Sequence, residues 1–275
     1  MKKLIGIADG WGSGCTMRRK AFLLGFAGLA GILVLMLGCE RDPSNPMPTS
    51  SDTNAVENAS PTNDVDEQSG GLVLYYSFDA DEGGTVTDAS GAGHDGSVHG
   101  AVWTAQGKRG GAYTFDGIDD YIKADGYKGV LGAHAMSVCA WARSDVYVPS
   151  GTVIVRWGDG TGGLWGGMFE LIYNGSEDHS IVGLVGGWMV KGGYAPQGDG
   201  VWHHAVLTTD GSVVSLYIDG QLASSVDTSQ GINIKSMIDV SIGQAEDSSY
   251  LQGAIDEVRI YDRALSADEV ASLAD

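Results

Sequence analysis

The stretch GAIDEVRIYDRALSADEV, Gly253 to Val270, decides how this chain folds. Its first half alternates as a strand does, with successive side chains pointing to opposite faces. Leu251, Gly253, Ile255, Glu257, Arg259 and Tyr261 then share one face. Gln252, Ala254, Asp256, Val258 and Ile260 share the other, which is the expected buried face. That alignment sets a carboxylate, Asp256, in line with Val258 and Ile260. A buried ionised carboxylate requires a paired cation, several hydrogen-bond donors or a metal. In the second half, Ser266-Ala267-Asp268-Glu269 has the form of a capping box, with Val270 and Leu273 following as an apolar stripe. The stretch therefore predicts a long closing strand and a short helix.

From Leu72 onward the same texture repeats. Short apolar runs such as LVLYYSFD, AYTFDG, YIKA, MSVCAWAR, TVIVRW, GMFELIYN, SIVGLVG, HHAVLTT, VVSLYIDG and VSIGQA are separated by Gly, Asp, Ser and Asn. Hairpin turns are expected at TTDGSVV and YIDGQLA. The 43 glycines and six prolines fit many tight turns. The fold class predicted is all-β, a two-sheet antiparallel jelly-roll sandwich over residues 72–275.

Residues 1–71 read differently. Met17 to Cys39, MRRKAFLLGFAGLAGILVLMLGC, has a basic start at Arg18, Arg19 and Lys20 followed by an apolar run, the parts of an export signal. Its end, Leu35-Met36-Leu37-Gly38-Cys39, resembles the lipobox of bacterial lipoproteins, with Met36 and Leu37 departing from the usual residues. That resemblance implies lipidation at Cys39. The alternatives are an uncleaved anchor, since the apolar run is just long enough to span a bilayer, and complete release of the chain. Residues 1–16 stand ahead of this signal, and translation starting at Met17 accounts for them. Residues 40–71 are rich in Ser, Thr, Asn, Pro and acids and read as a disordered spacer. The expected location is the bacterial cell envelope, with the domain membrane-anchored outside the cytoplasm.

The formal charge of −19 makes nucleic acid an improbable partner, because phosphate binding needs a basic face. Cys15, Cys39 and Cys139 make no disulfide framework, and Cys139, in MSVCAWA, is expected to be free and buried. His203 and His204, adjacent on a strand, face opposite ways and cannot jointly hold one ion. Trp157, Trp165, Trp188 and Tyr194 lie in glycine-rich settings and are the candidate sugar-stacking rings. Trp141 and Trp202 read as core.

Six stretches, YYSFDADEGGTVTDASGAGHDGSVHG, GKRGGAYTFDGIDDYIKA, MSVCAWAR, WHHAVLTTDGSVVSLYIDGQLASS, VSIGQ and GAIDEVRIYDRALSADEVASL, resemble the laminin-G-like jelly rolls of the concanavalin A-like lectin and glucanase superfamily, and stand in that family's order. The resemblance implies two curved sheets with the first and last strands side by side. It also implies a structural calcium, with Asp256 as a ligand and Asp79 and the backbone near Gly96 as companions. Asp88 adds a carboxylate nearby, although capping its own turn is the commoner use. The related glucanases carry a Glu-x-Asp-x-x-Glu run on one strand; here Glu170 stands alone, so catalysis is not expected. The function expected is non-catalytic recognition of carbohydrate or a surface protein. The alternatives are an adhesion protein that binds no sugar and, less favoured, a polysaccharide-cleaving enzyme.

Overall fold

The computed structural model describes residues 70–147, 151–159, 167–175, 180–192, 195, 197–228, 231–245 and 249–275. Cys39, Trp165 and Tyr194 lie outside the described residues. In chain order the strands begin with β1 (Leu72–Tyr76), β2 (Thr85–Val86), β3 (Gly96–His99), β4 (Val102–Thr104), β5 (Ala112–Asp116) and β6 (Tyr121–Lys123). They continue with β7 (Met136–Ser144), β8 (Thr152–Asp159), β9 (Gly167–Tyr173), β10 (Ile181–Val185), β11 (Trp188–Lys191) and β12 (His203–Thr209). The last are β13 (Val213–Ile218), β14 (Gln221–Asp227), β15 (Ile238–Ile242), β16 (Gln244–Ala245), β17 (Ser249–Tyr250) and β18 (Gln252–Tyr261), before helix α1 (Ala267–Ala274).

Two antiparallel sheets face each other. The first runs β14-β13-β12-β7-β18-β5-β4, with β1 also on β18. The second runs β11-β10-β9-β8-β15-β6-β3-β2. The inward side chains alternate along each strand as the pleat requires: Val138, Ala140 and Ala142 from β7, and Ile122, Val155, Leu171 and Ile242 from the second sheet, pack into one core. The first and last strands are neighbours, with Tyr76 opposite Val258 and Leu72 opposite Tyr261.

β18 departs from the simple alternation, and this corrects the sequence reading. It pairs with β7 through Ile255 opposite Ala142 and Asp256 opposite Trp141, then the register shifts and Arg259 faces Cys139. Glu257 takes φ 55, a left-handed conformation uncommon for a residue with a side chain. The extra residue is a β-bulge, and it reverses the phase of the strand. Ile255, Val258 and Ile260 therefore all face the core. Asp256 sits with Trp141, on the opposite side of the sheet.

That outer side is covered. Cys139, Val206, Tyr261, Leu265, Val270 and Leu273 form a second apolar cluster in which α1 lies on the first sheet. The helix begins as its capping box predicts: Glu269 N–H donates to Ser266 Oγ (3.3 Å), and Ser266 N–H donates to Glu269 Oε2 (2.7 Å). Cys139 is free and buried, and burial pushes its thiol up to about 12. Among the described residues no helix covers the outer face of the second sheet.

Candidate functional site

Two places in the sandwich carry chemistry. The first is the turn GKRGG, Gly107 to Gly111, laid over the outer side of β18. Gly107 N–H donates to Gly110 O (3.0 Å), closing the turn. Asp256 lies beneath it, wholly buried. Arg109 N–H donates to Asp256 Oδ2 (2.9 Å), while Oδ1 has no hydrogen-bond partner among the described residues. Burial pushes this carboxyl up to about 7, despite the pull of the backbone N–H of Arg109. Asp79 reaches the same turn from the end of β1: Gly110 holds φ +57, and a Cβ there would collide with Asp79 Oδ1. The turn thus separates two carboxylates by bare backbone, which only glycine permits at that point.

Beside it, Glu257 accepts from Tyr75 Oη (2.9 Å) and is paired to Arg259 (2.5 Å), with Arg109 at 3.7 Å. Arg109 also donates to Leu273 O (3.1 Å), which ties the turn to α1. A buried carboxylate with one orphaned oxygen, near the Gly111 carbonyl and under a turn that Asp79 also touches, offers oxygen donors of the kind a hard divalent cation takes. Gly96 does not belong to this set. It lies in β3 of the second sheet, packed against Val86 and the Tyr76 hydroxyl, so the core separates it from Asp256. The expectation that its backbone completes the set is corrected: the neighbouring carbonyls come from residues 107–111. Asp88 is occupied by the N–H groups of Tyr75, Ser90 and His94, as a turn-capping residue would be.

The second place is a groove of about 350 Å³ in the second sheet, lined by Tyr121, Lys123, Lys128, Arg156, Asp239 and Gln244 among others. Its floor follows from strand register. Ile122 opposite Ile242 and Ile242 opposite Val155 are core pairs, so the next row, Lys123 to Ser241 to Arg156 to Glu170, must point outward. Tyr121 is on the same face and stacks with His99 at 4.3 Å between ring centroids. Asp239 is shared by Lys123 (3.0 Å) and Lys128 (2.6 Å). Burial alone would raise its pKa, but the two lysines hold it below the usual carboxylate value. Arg156 Nε lies 3.0 Å from Glu170 Oε1.

Of the rings proposed from sequence, the two that are described, Trp157 and Trp188, are placed elsewhere. Trp157 has no exposed surface; it stacks on Phe169 at 4.7 Å and donates Nε1–H to Val130 O. It is a core residue and cannot receive a sugar. Trp188 is half-buried and packs against the same core from β11. Trp141 is buried, but on the outer side of the first sheet with Lys108 over its ring at 4.0 Å, and Trp202 is only partly buried beside Arg143. Neither stands in the core, whereas His203–His204 do begin a buried strand. His203 lies between Asp219 (2.8 Å) and Asp199 (3.2 Å), whereas His204 is buried beside Trp141, and burial lowers it to about 3. Among the described residues the ring that faces the groove is Tyr121, and it was missed. Its signal was the alternation Tyr121-Ile122-Lys123, with the apolar residue inward.

A family profile described as the concanavalin A-like lectin/glucanases superfamily, of laminin-G type, matches residues 116–271. The chain belongs to that superfamily. No curated protein matches it by sequence. Among solved structures, domain 4 of AbnA, an extracellular arabinanase from Geobacillus stearothermophilus, in complex with arabinotriose, is 21% identical at a TM-score of 0.60, covering 74% of this chain and 98% of that one. The binding domain of Paraclostridial Mosquitocidal Protein 1 is 15% identical at 0.61, over 76% of this chain and 52% of that one. Trypanosoma rangeli sialidase is 19% identical at 0.55, over 74% of this chain and 32% of that one. At identities this low, the structural likeness shows the shared fold alone.

Proposed function

We propose that this member of the superfamily is a carbohydrate-binding module that binds its glycan in the groove of the second sheet and performs no chemistry on it. The carrying observation is the groove itself, on a sheet face where Tyr121 stands beside a fixed set of charged and amide groups. Sugar sites combine an aromatic surface with a few well-placed polar groups. The arabinotriose on the arabinanase domain of the same fold supports the ligand class. A non-catalytic role is favoured by the pairing of the groove's carboxylates, Asp239 with Lys123 and Lys128 and Glu170 with Arg156, which leaves neither poised as a general acid.

In the same reading Asp256 and Asp79, with backbone oxygens of the Gly107–Gly111 turn, would hold calcium. Its contribution would be structural, neutralising Asp256 and holding the turn that is tied to α1. The segment through Cys39 then tethers the module to the cell envelope, with residues 40–71 as the spacer. The test is a glycan array probed with the full-length chain in detergent, wild type against Tyr121→Ala. Binding that falls at least tenfold in the variant supports the reading. Retention of all hits by Tyr121→Ala overturns the site.

A further inference from the structure

The charges around the groove say which kind of glycan it takes, an inference that rests on the carbohydrate reading above. Lys123, Lys128 and Arg156 are its cations among the described residues. A cluster of this kind, on a chain of formal charge −19, invites assignment to an acidic ligand. The geometry argues otherwise, because each cation already faces a carboxylate. Lys123 Nζ lies 3.0 Å from Asp239 and 3.7 Å from Asp125. Lys128 Nζ lies 2.6 Å from Asp239, and Arg156 lies 3.0 Å from Glu170. Three cations meet three carboxylates, so the groove presents no net positive charge. An arriving uronate or sulfate would approach Asp239 and Glu170 at close range and the rest of an acidic surface at long range.

What the array keeps is hydrogen-bonding capacity. An ammonium has three N–H donors and a carboxylate about four acceptor positions. Lys123 spends its donors on two carboxylates, and Lys128 on Asp239 and the carbonyl of Met237 (3.4 Å). Asp239 meets Lys128 with Oδ1, which is buried, and Lys123 with Oδ2. Each lysine therefore retains a donor and Asp239 an acceptor position at Oδ2, with Ser241 and Gln244 adjacent. A hydroxyl both donates and accepts, so two neighbouring hydroxyls can each take a lysine N–H while one returns its proton to Asp239. Such charge-assisted bonds are the strong ones. Side chains fixed by mutual pairing also lose little freedom when the ligand arrives.

We infer that the groove selects an uncharged glycan presenting vicinal hydroxyls, with Asp239, Lys123 and Lys128 as its specificity-determining residues. The test uses the full-length chain in detergent, titrated calorimetrically with two sets of oligosaccharides. One is neutral (gluco-, manno-, xylo-, galacto- and arabino-oligosaccharides); the other is acidic (oligogalacturonate, oligoalginate and sulfated galactan).

The expected result is that a neutral member binds at least tenfold more tightly than any acidic one, with affinity changed less than twofold between low and high salt. Asp239→Asn and, separately, Lys128→Gln should each weaken it at least tenfold with the melting temperature retained. If Asp239→Asn does not fold, the half-exposed Lys128→Gln carries the test. Tighter binding of an acidic set that collapses with salt and is lost in these variants overturns the inference while leaving the groove a glycan site. Neutral binding indifferent to both substitutions also overturns it, since the sugar then sits elsewhere. No binding by either set overturns the carbohydrate reading and this inference with it.

Discussion

Replacing Asp256 with asparagine keeps the shape of the side chain and removes its charge, and the structure sets the size of the effect. In the metal-free protein, burial moves this carboxyl from 3.8 to about 7. The folded state therefore binds a proton more tightly than the unfolded state does. Its contribution to stability is present at low pH and is lost as pH rises from about 4 to about 7, levelling off above that. The gap corresponds to about 4 kcal/mol. For a domain of this size that is on the order of 10 °C in melting temperature.

An amide at this position has no such titration. In chelator, Asp256→Asn should melt at about the wild-type temperature near pH 4 and on the order of 10 °C above it near pH 8. Calcium should reverse the order at pH 8: an ion that binds only the native state raises the wild type, and the variant, lacking the anionic ligand, gains little. The assay is thermal unfolding by circular dichroism across pH, in chelator and then in excess calcium. Parallel pH slopes for the two proteins would refute the account of Asp256 as the orphaned buried carboxyl. An equal calcium shift in both would show that the ion binds elsewhere.

Trp157→Ala empties a fully buried, hydrogen-bonded position and should cost about 3–5 kcal/mol in denaturant titrations, whereas Trp188→Ala should cost clearly less. Equal losses would contradict the burial assigned to the two rings. Ser266→Ala removes the helix cap and should cost about 1 kcal/mol, with Ser266→Asp restoring most of it.

Much of the architecture was legible in the chain. The alternating runs gave the strands, and the capping box marked where α1 begins. The pairing of first and last strands came from resemblance, and Leu72 does face Tyr261. The bulge at Glu257 was not legible, because nothing in IDEVRI distinguishes a strand with one extra residue from one without. Two features explain the error over Trp157. The glycines after it suggested a loop, but its burial is decided at a distance by Gly129 and Val130, which receive the ring. The groove was hidden for a similar reason. Lys123, Lys128, Arg156 and Asp239 come from separate segments, and only the register of β6, β15 and β8 brings them together.

The position of β18 bears on how the protein is made. It is the last strand in chain order, yet it stands inside the first sheet, with β7 along one edge and β5 and β1 along the other. Until Gln252–Tyr261 has emerged from the ribosome, β1 and β5 have no partner on that side. Folding must then wait for contacts of very large sequence separation, which is slow. A nascent chain in that condition keeps strand edges unpaired and exposed to other chains. Truncation before Gln252 would remove β18 whole and leave the first sheet divided in two.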